Sequence, residues 1–127
     1  MWLSIDTDDR HHHPSVFGHP RRSKFKKKYS KRSSKELLTG FSLLEKWHKN
    51  SKRRITLFII AEQLQDKKFV NAIDKIISHG RITIGIHGLN HKCWSAWPPD
   101  PENFEIKVQQ AYRILLEKFG DIVRPWF

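Results

Sequence analysis

The sequence has a single cysteine, Cys93, among 127 residues. One cysteine excludes an internal disulfide and the paired-cysteine motifs of zinc knuckles, so a metal site would have to use histidine and carboxylate ligands. Apolar runs are short, and none reaches the roughly 18 residues of a transmembrane helix. The N-terminus becomes charged after five residues, too early for the apolar region of a signal peptide. We therefore expect a cytoplasmic protein with no transmembrane segment.

Acidic residues are scarce relative to basic ones: 13 Asp and Glu face 24 Lys and Arg, a formal charge of +11. Most of the excess lies in RRSKFKKKYSKR, residues 21–32, where eight side chains are Lys or Arg. We predict a single domain over residues 1–127 with a basic flexible insert at about 10–34. The charge suits an anionic glycan or phosphates. Nucleic acid is the less favoured partner because the run has few aromatics to stack on bases.

Apolar periodicity predicts strands that alternate with helices. The predicted strands are short and rich in β-branched residues, at 2–6, 54–62, 82–86 and 121–127. The predicted helices have apolar residues on one face, at 33–49, 66–80 and 101–120. This order implies about four parallel strands with three helices, and hence an α/β layer or barrel.

Polar residues follow each predicted strand. They are Asp6, Asp8 and Asp9 after the first, Glu62 after the second, His87 and His91 after the third, and Arg124 in the last. The carboxyl ends of parallel strands form the functional edge of α/β folds. Two imidazoles and a carboxylate suit zinc, cobalt or nickel, and a second carboxylate beside the ion could act as a general base. By itself, however, a pair such as His87 and His91 more often has a structural or surface role.

Two further groups are ambiguous from sequence alone. Trp94 follows the histidine pair closely, which favours contact with a sugar ring over a place in the core. The consecutive histidines His11, His12 and His13 lie at the start of the basic stretch. Such a run most often has no specific role, so we do not place it in the site.

Three motifs, in the order SIDTDD, HGLNH and RPWF, resemble the first three motifs of the NodB-type polysaccharide deacetylases, carbohydrate esterase family 4. RITLFIIAEQL is similar to the second strand of that family. The resemblance implies an incomplete (β/α) barrel and a divalent metal, zinc in the first place. It implies that Asp6 is the catalytic base, oriented by Arg124. The implied metal ligands are Asp8, His87 and His91, and the implied substrate-groove residues are Trp126 and Phe127.

The chain also departs from the pattern of that family. Gly88 stands where many members have Ser or Thr, and the later motifs, which include the histidine that protonates the leaving amine, have no counterpart. Four strands cannot close a barrel, so an edge would stay open unless another copy or a missing C-terminal half covers it. The resemblance implies a metal-dependent hydrolase that removes an N-acyl group from an amino sugar. The alternatives are an inactive half-barrel that binds glycan or metal and, less favoured, a nucleic-acid-binding protein.

Overall fold

The computed structural model describes residues 3–12, 32–96 and 98–127. The strands are β1 (Leu3–Asp6), β2 (Ile55–Ile59) and β3 (Ile82–Ile86). The α-helices are α1 (Lys35–Ser51), α2 (Lys67–Ile77) and α3 (Pro101–Phe119). Short 3₁₀ helices cover Ala61–Gln65, Trp94–Ala96 and Gly120–Ile122. Residues 13–31, which make up most of the predicted basic insert, lie outside the described residues, so the predicted flexibility of the insert stays a prediction.

The three strands form a parallel sheet in the order β1-β2-β3. Leu3 lies opposite Ile55, and Ile55 lies opposite Ile82, so neighbouring strands are aligned from their first residues. β2 is central, and four of its five residues are buried, as expected for a strand covered on both faces. The predicted α/β class is confirmed. Because all three strands run the same way, their carboxyl ends meet at one edge of the sheet.

The predicted fourth strand is wrong as a strand. Within the described residues, 121–127 pairs with β3 through a single bridge, Val123 to Ile84. The amide of Arg124 donates to the Ile84 carbonyl at 2.9 Å, and the Ile86 amide donates to the Trp126 carbonyl at 2.7 Å. Pro125 lies between these two bonds and has no N–H of its own, and a proline cannot continue a regular ladder.

The core lies between the sheet and its helices. α1 packs on α2 and α3 packs on β3, and the rings of Phe41 and Phe69 meet edge to face at 5.6 Å. Gly85 in β3 has a steric role, because a Cβ there would lie 2.5 Å from the ring of Phe58 in the neighbouring strand. None of the helices in the described part of the chain is long and apolar enough to cross a bilayer.

Two carboxylates hold the residues that precede α1. Oδ2 of Asp9 accepts the Ser34 amide at 2.6 Å, and Oδ2 of Asp66 accepts the Ser33 amide at 2.7 Å. Ser34 is also the N-cap of α1, since its hydroxyl accepts the Leu37 amide at 3.1 Å. The loop after β1, the start of α1 and the start of α2 are therefore fixed to one another.

Candidate metal centre

Buried hydrogen bonds between Thr7 and Gln63 fix the backbone between Asp6 and Asp8. Thr7 has no exposed surface, and its hydroxyl lies 2.7 Å from Oε1 of Gln63 and 3.0 Å from the Phe58 carbonyl. Nε2 of Gln63 in turn donates to the Thr7 carbonyl at 2.6 Å. Because Gln63 follows β2, these hydrogen bonds hold the acidic loop after β1 against the end of the neighbouring strand.

Backbone hydrogen bonds fix the histidine loop in the same way. The His87 amide donates to the Ile59 carbonyl at 2.9 Å, and the Ala61 amide donates to the Gly88 carbonyl at 3.0 Å. Gly88 has a φ of 90° and His91 a φ of 53°, both in the left-handed region. Left-handed backbone at a non-glycine residue is unfavourable and is concentrated at functional sites, where surrounding contacts maintain it.

Asp8 lies between the two histidines that follow β3. Its Oδ2 is 3.2 Å from Nε2 of His87, and its Oδ1 is 3.0 Å from Nε2 of His91. One ligand atom from each of the three residues lies within 4.8 Å of the others, and each side chain is about a quarter exposed. Oδ1 is buried and accepts no hydrogen bond from the described residues. Asp8 Oδ1 and His91 Nε2 are thus close without forming a hydrogen bond, as expected of two atoms that ligate the same ion.

The contacts within this triad shift the pKa values of Asp8 and His87 in opposite directions. Burial by itself would raise the pKa of Asp8, but the hydrogen bond with His87 and the nearby rings of His91 and His12 bring it below its ordinary value. The pKa of His87 is raised chiefly by its hydrogen bond to Asp8, against the effect of burial, with added contributions from the charges of Asp8 and Asp6. Asp8 is therefore ionised at neutral pH and available as a ligand.

A second histidine pair, not predicted to be part of the site, lies beside this triad. The amide of His12 donates to the Asp9 carbonyl at 2.9 Å, and this turn buries the His12 ring, leaving 1% of the residue exposed. The His12 ring centre is 5.6 Å from that of His91, and its Nε2 is 3.9 Å from Oε1 of Glu62. Burial, together with the charges of His11 and His91, lowers the pKa of His12 to about 4.

The predicted catalytic residues are placed unevenly. Asp6 is exposed at the end of β1 and close enough to His87 to affect its pKa. Arg124 is exposed too, and its guanidinium donates to the carbonyls of Asp121 and Val123. Across the described ranges Arg124 forms no ion pair with Asp6. The structure therefore brings Asp6, Asp8 and both histidines together, and it leaves Arg124 apart.

Aromatic side chains form a surface next to the histidine loop. Phe104 contacts Trp94 and Phe127 edge to face, with ring centres 5.5 and 5.4 Å apart. Phe127 is 62% exposed and Trp126 is 39% exposed. The bond from the Ile86 amide to the Trp126 carbonyl holds these last residues beside the end of β3, one residue before His87. The predicted substrate residues Trp94, Trp126 and Phe127 thus lie on the same side of the sheet as the triad.

The chain matches no protein-family model, no curated protein and no solved structure. The likeness to the deacetylases therefore depends on the three short motifs and on the arrangement of the residues within them.

Proposed function

We propose that this chain forms the metal centre of a divalent-metal-dependent hydrolase that removes an N-acyl group from an amino sugar in a glycan or glycan precursor. The main support is the position of Asp8, whose two carboxylate oxygens face Nε2 of His87 and of His91 at 3.2 and 3.0 Å. The three residues come from the motifs that resemble those of the deacetylases, in the order that the family has them.

The ligand atoms fit a divalent ion. Two imidazole nitrogens and one carboxylate oxygen suit zinc, with cobalt and nickel as alternatives, and three protein ligands leave positions open for substrate and water. The buried Oδ1 of Asp8 accepts no hydrogen bond from the described residues, and a cation in the site would give it a partner.

Each residue then has a distinct role. A bound divalent ion polarises a carbonyl oxygen and lowers the pKa of a bound water toward neutrality. Asp8, His87 and His91 would hold such an ion, each through one ligand atom. Asp6, exposed and beside His87, takes the proton from the attacking water as general base. The exposed rings of Trp126 and Phe127 bind the apolar face of a sugar ring. Trp94 is the third predicted contact, and the Lys92 ammonium lies 3.8 Å from its ring centre.

The decisive experiment measures zinc binding and acetate release together. We expect the zinc-loaded chain to release acetate from an oligomer of N-acetylglucosamine, and Asp8→Ala/His91→Ala to lose acetate release and the zinc binding of the triad while retaining His11, His12 and His13. Asp6→Asn should keep zinc affinity and lose acetate release. His79→Ala is the matched control, because His79 pairs with Glu45 and is not part of the triad. Zinc binding that the double variant retains in full would refute the proposal.

An inactive glycan- or metal-binding module is the second candidate, and the placement of Arg124 favours it. Without the arginine expected to orient it, Asp6 is poorly positioned to act as a general base. The two candidates differ in one outcome: the module binds zinc through Asp8 and binds the oligosaccharide, but it releases no acetate.

The remaining assignments stay predictions. Cytoplasmic location and a second copy that covers the open sheet edge are expectations from the sequence. Nucleic-acid binding would depend on residues 21–32, most of which lie outside the described residues. Deletion of 21–32 should leave zinc binding intact, and any nucleic-acid binding that it removes should weaken steeply with salt.

A further inference from the structure

A second cluster of possible ligands lies beside the triad, formed by His11, His12 and Glu62. One ligand atom from each lies within 4.8 Å of the others. The side chains of His11 and His12 are 9% and 1% exposed, and that of Glu62 is 20% exposed. This cluster comes from the turn after β1 and from the 3₁₀ helix after β2, so it occupies the same edge of the sheet as the triad.

Two imidazole nitrogens in this cluster have no hydrogen-bond partner among the described residues: Nδ1 of His11 and Nε2 of His12, both buried. The carboxylates closest to them are just out of reach. Oε1 of Glu62 is 3.9 Å from Nε2 of His12, and Oδ2 of Asp9 is 3.9 Å from Nδ1 of His11. Buried polar atoms without partners are rare and unfavourable, so two such atoms that face carboxylates need an explanation.

We propose that His11, His12 and Glu62 form a second divalent-cation site next to the Asp8, His87 and His91 centre. A cation between the three side chains would be bound by one nitrogen of each ring and by the Glu62 carboxylate, whose Oε1 is 3.9 Å from Nε2 of His12. The donor set is again two nitrogens and one oxygen, which suits zinc, cobalt or nickel.

The charges at this edge favour a second ion. Four carboxylates lie around the two clusters: Asp6, Asp8, Asp9 and Glu62. One divalent ion offsets half of their charge, and a second ion offsets the rest. Two ions at adjacent positions are a common arrangement in hydrolases, where they stabilise the attacking and the leaving atoms of the same reaction.

The hydrogen bond from the Asp9 amide to Nδ1 of His12, 2.8 Å long, makes zinc binding at the second site less favourable. This bond places the ring proton on Nε2. Coordination through Nε2 moves the proton to Nδ1, so the Asp9 amide must release its acceptor. Coordination at the triad also displaces a proton, the one that His87 Nε2 donates to Asp8, but Asp8 is itself a ligand of the same ion, so no amide is left without an acceptor. We therefore expect the second site to bind zinc more weakly than the first.

Zinc titration of the full metal-stripped chain by calorimetry tests the proposal. The wild type should bind two zinc ions per chain, the second at least tenfold more weakly than the first. Glu62→Gln, which is nearly isosteric, should remove only the weaker event, whereas His91→Asn should remove or weaken the tighter one. His13→Asn/His19→Asn is the control for the other histidines of this stretch and should retain both events.

Each contrary result has one meaning. A single zinc ion in both the wild type and Glu62→Gln would overturn the second site and leave the proposed function standing. A second event lost in His13→Asn/His19→Asn and kept in Glu62→Gln would overturn it as well. A tighter event that His91→Asn leaves unchanged would refute the proposed function without affecting the Glu62→Gln comparison.

The Asp9 amide gives a readout that does not depend on stoichiometry. Its ¹H and ¹⁵N resonances should shift during the second equivalent of zinc in the wild type and stay constant over the same range in Glu62→Gln. The rest of the spectrum shows at the same time whether that variant is folded. A second equivalent that moves no Asp9 resonance in the wild type would overturn the proposal.

Discussion

Two histidine pairs meet at the same edge of the sheet, and they arrive there by different routes. His87 and His91 are four residues apart in a loop that begins where β3 ends. His11 and His12 are adjacent, and they reach the edge only because the chain turns back at Asp9. Spacing after a strand is visible in a sequence, whereas a turn held by contacts with a distant helix start is not. Three substitutions and a change of pH should affect the two histidine pairs differently.

The largest expected effect is that of Asp8→Ala on the first pair. Loss of a direct ligand should weaken zinc binding by more than the 10–100-fold typical of outer-shell partners. Calorimetry on the metal-stripped variant measures this loss. Asp121→Ala, an exposed acid away from the centre, is the control and should bind zinc like the wild type. Comparable affinity in Asp8→Ala and wild type would show that the first pair is not a metal site.

The two pairs should also respond to pH with opposite signs in the metal-free chain. His12 has a folded pKa of about 4 against an ordinary value of 6.5, so the unfolded state binds more protons between them and the unfolding free energy rises with pH in that window. The pKa of His87 is raised, so its contribution is complete below 6.5 and is lost as pH rises through the folded pKa. Together the two histidines predict a stability maximum near pH 6.5.

Urea unfolding in the presence of a chelator, repeated from pH 4 to pH 9, measures this profile. Between the folded and the ordinary pKa of His12, which is the limb below the maximum, the unfolding free energy should rise by about 3 kcal/mol at most. His12→Gln should flatten the lower limb and His87→Gln the upper one. A variant that flattens the limb assigned to the other histidine would contradict the assignment.

Gly85→Ala should disturb the first pair through the sheet. Its Cβ would meet the Phe58 ring at 2.5 Å, and overpacking of this kind should lower the unfolding free energy by about 2 kcal/mol. Because His87 follows β3 directly, zinc affinity at the triad should fall too. The control is Gly40→Ala, where nothing lies within 4 Å; it should stabilise α1 by about 0.5–1 kcal/mol. Equal stability of the two variants in urea would refute the steric role.

Asp9→Asn should affect mainly the second pair, with the smallest effect of the four. The Asp9 carboxylate accepts the Ser34 and Arg10 amides, and an amide side chain can accept only one of them well. We expect a loss of about 1 kcal/mol in the unfolding free energy, together with weaker binding of the second zinc ion. Asp74→Asn, which breaks an exposed pair with Lys118, should change stability by less than about 0.5 kcal/mol.

Much of the fold follows from local pattern. The predicted strand at 82–86 is β3 itself, and each predicted helix matches an observed one within a few residues. These elements are set by apolar periodicity, which is a property of neighbouring residues. The last segment was predicted as a strand on the same basis and is not one, because Val123 pairs once before Pro125 interrupts the ladder.

The site was predictable in part for the same reason. Asp8, His87 and His91 each follow a strand directly, and parallel strands place those positions together. His12 is different, because its burial depends on the bond between Asp9 and Ser34, residues 25 positions apart. Arg124 also depends on tertiary contacts, since the carbonyls of Asp121 and Val123 compete for its guanidinium. Glu62, in the 3₁₀ helix after β2, and the run of consecutive histidines are the signs in the sequence that a second group belongs to this edge.

The Asp9 carboxylate closes a loop at its base, since it accepts the Ser34 amide across 25 positions of the chain. The entropy of closing a loop grows only with the logarithm of its length, at about 0.6 kcal/mol per doubling. Insertions or deletions after His12 and before Ser33 should therefore be nearly neutral for the fold and for both histidine pairs. That stretch can diverge rapidly during evolution while the residues on either side of it stay unchanged.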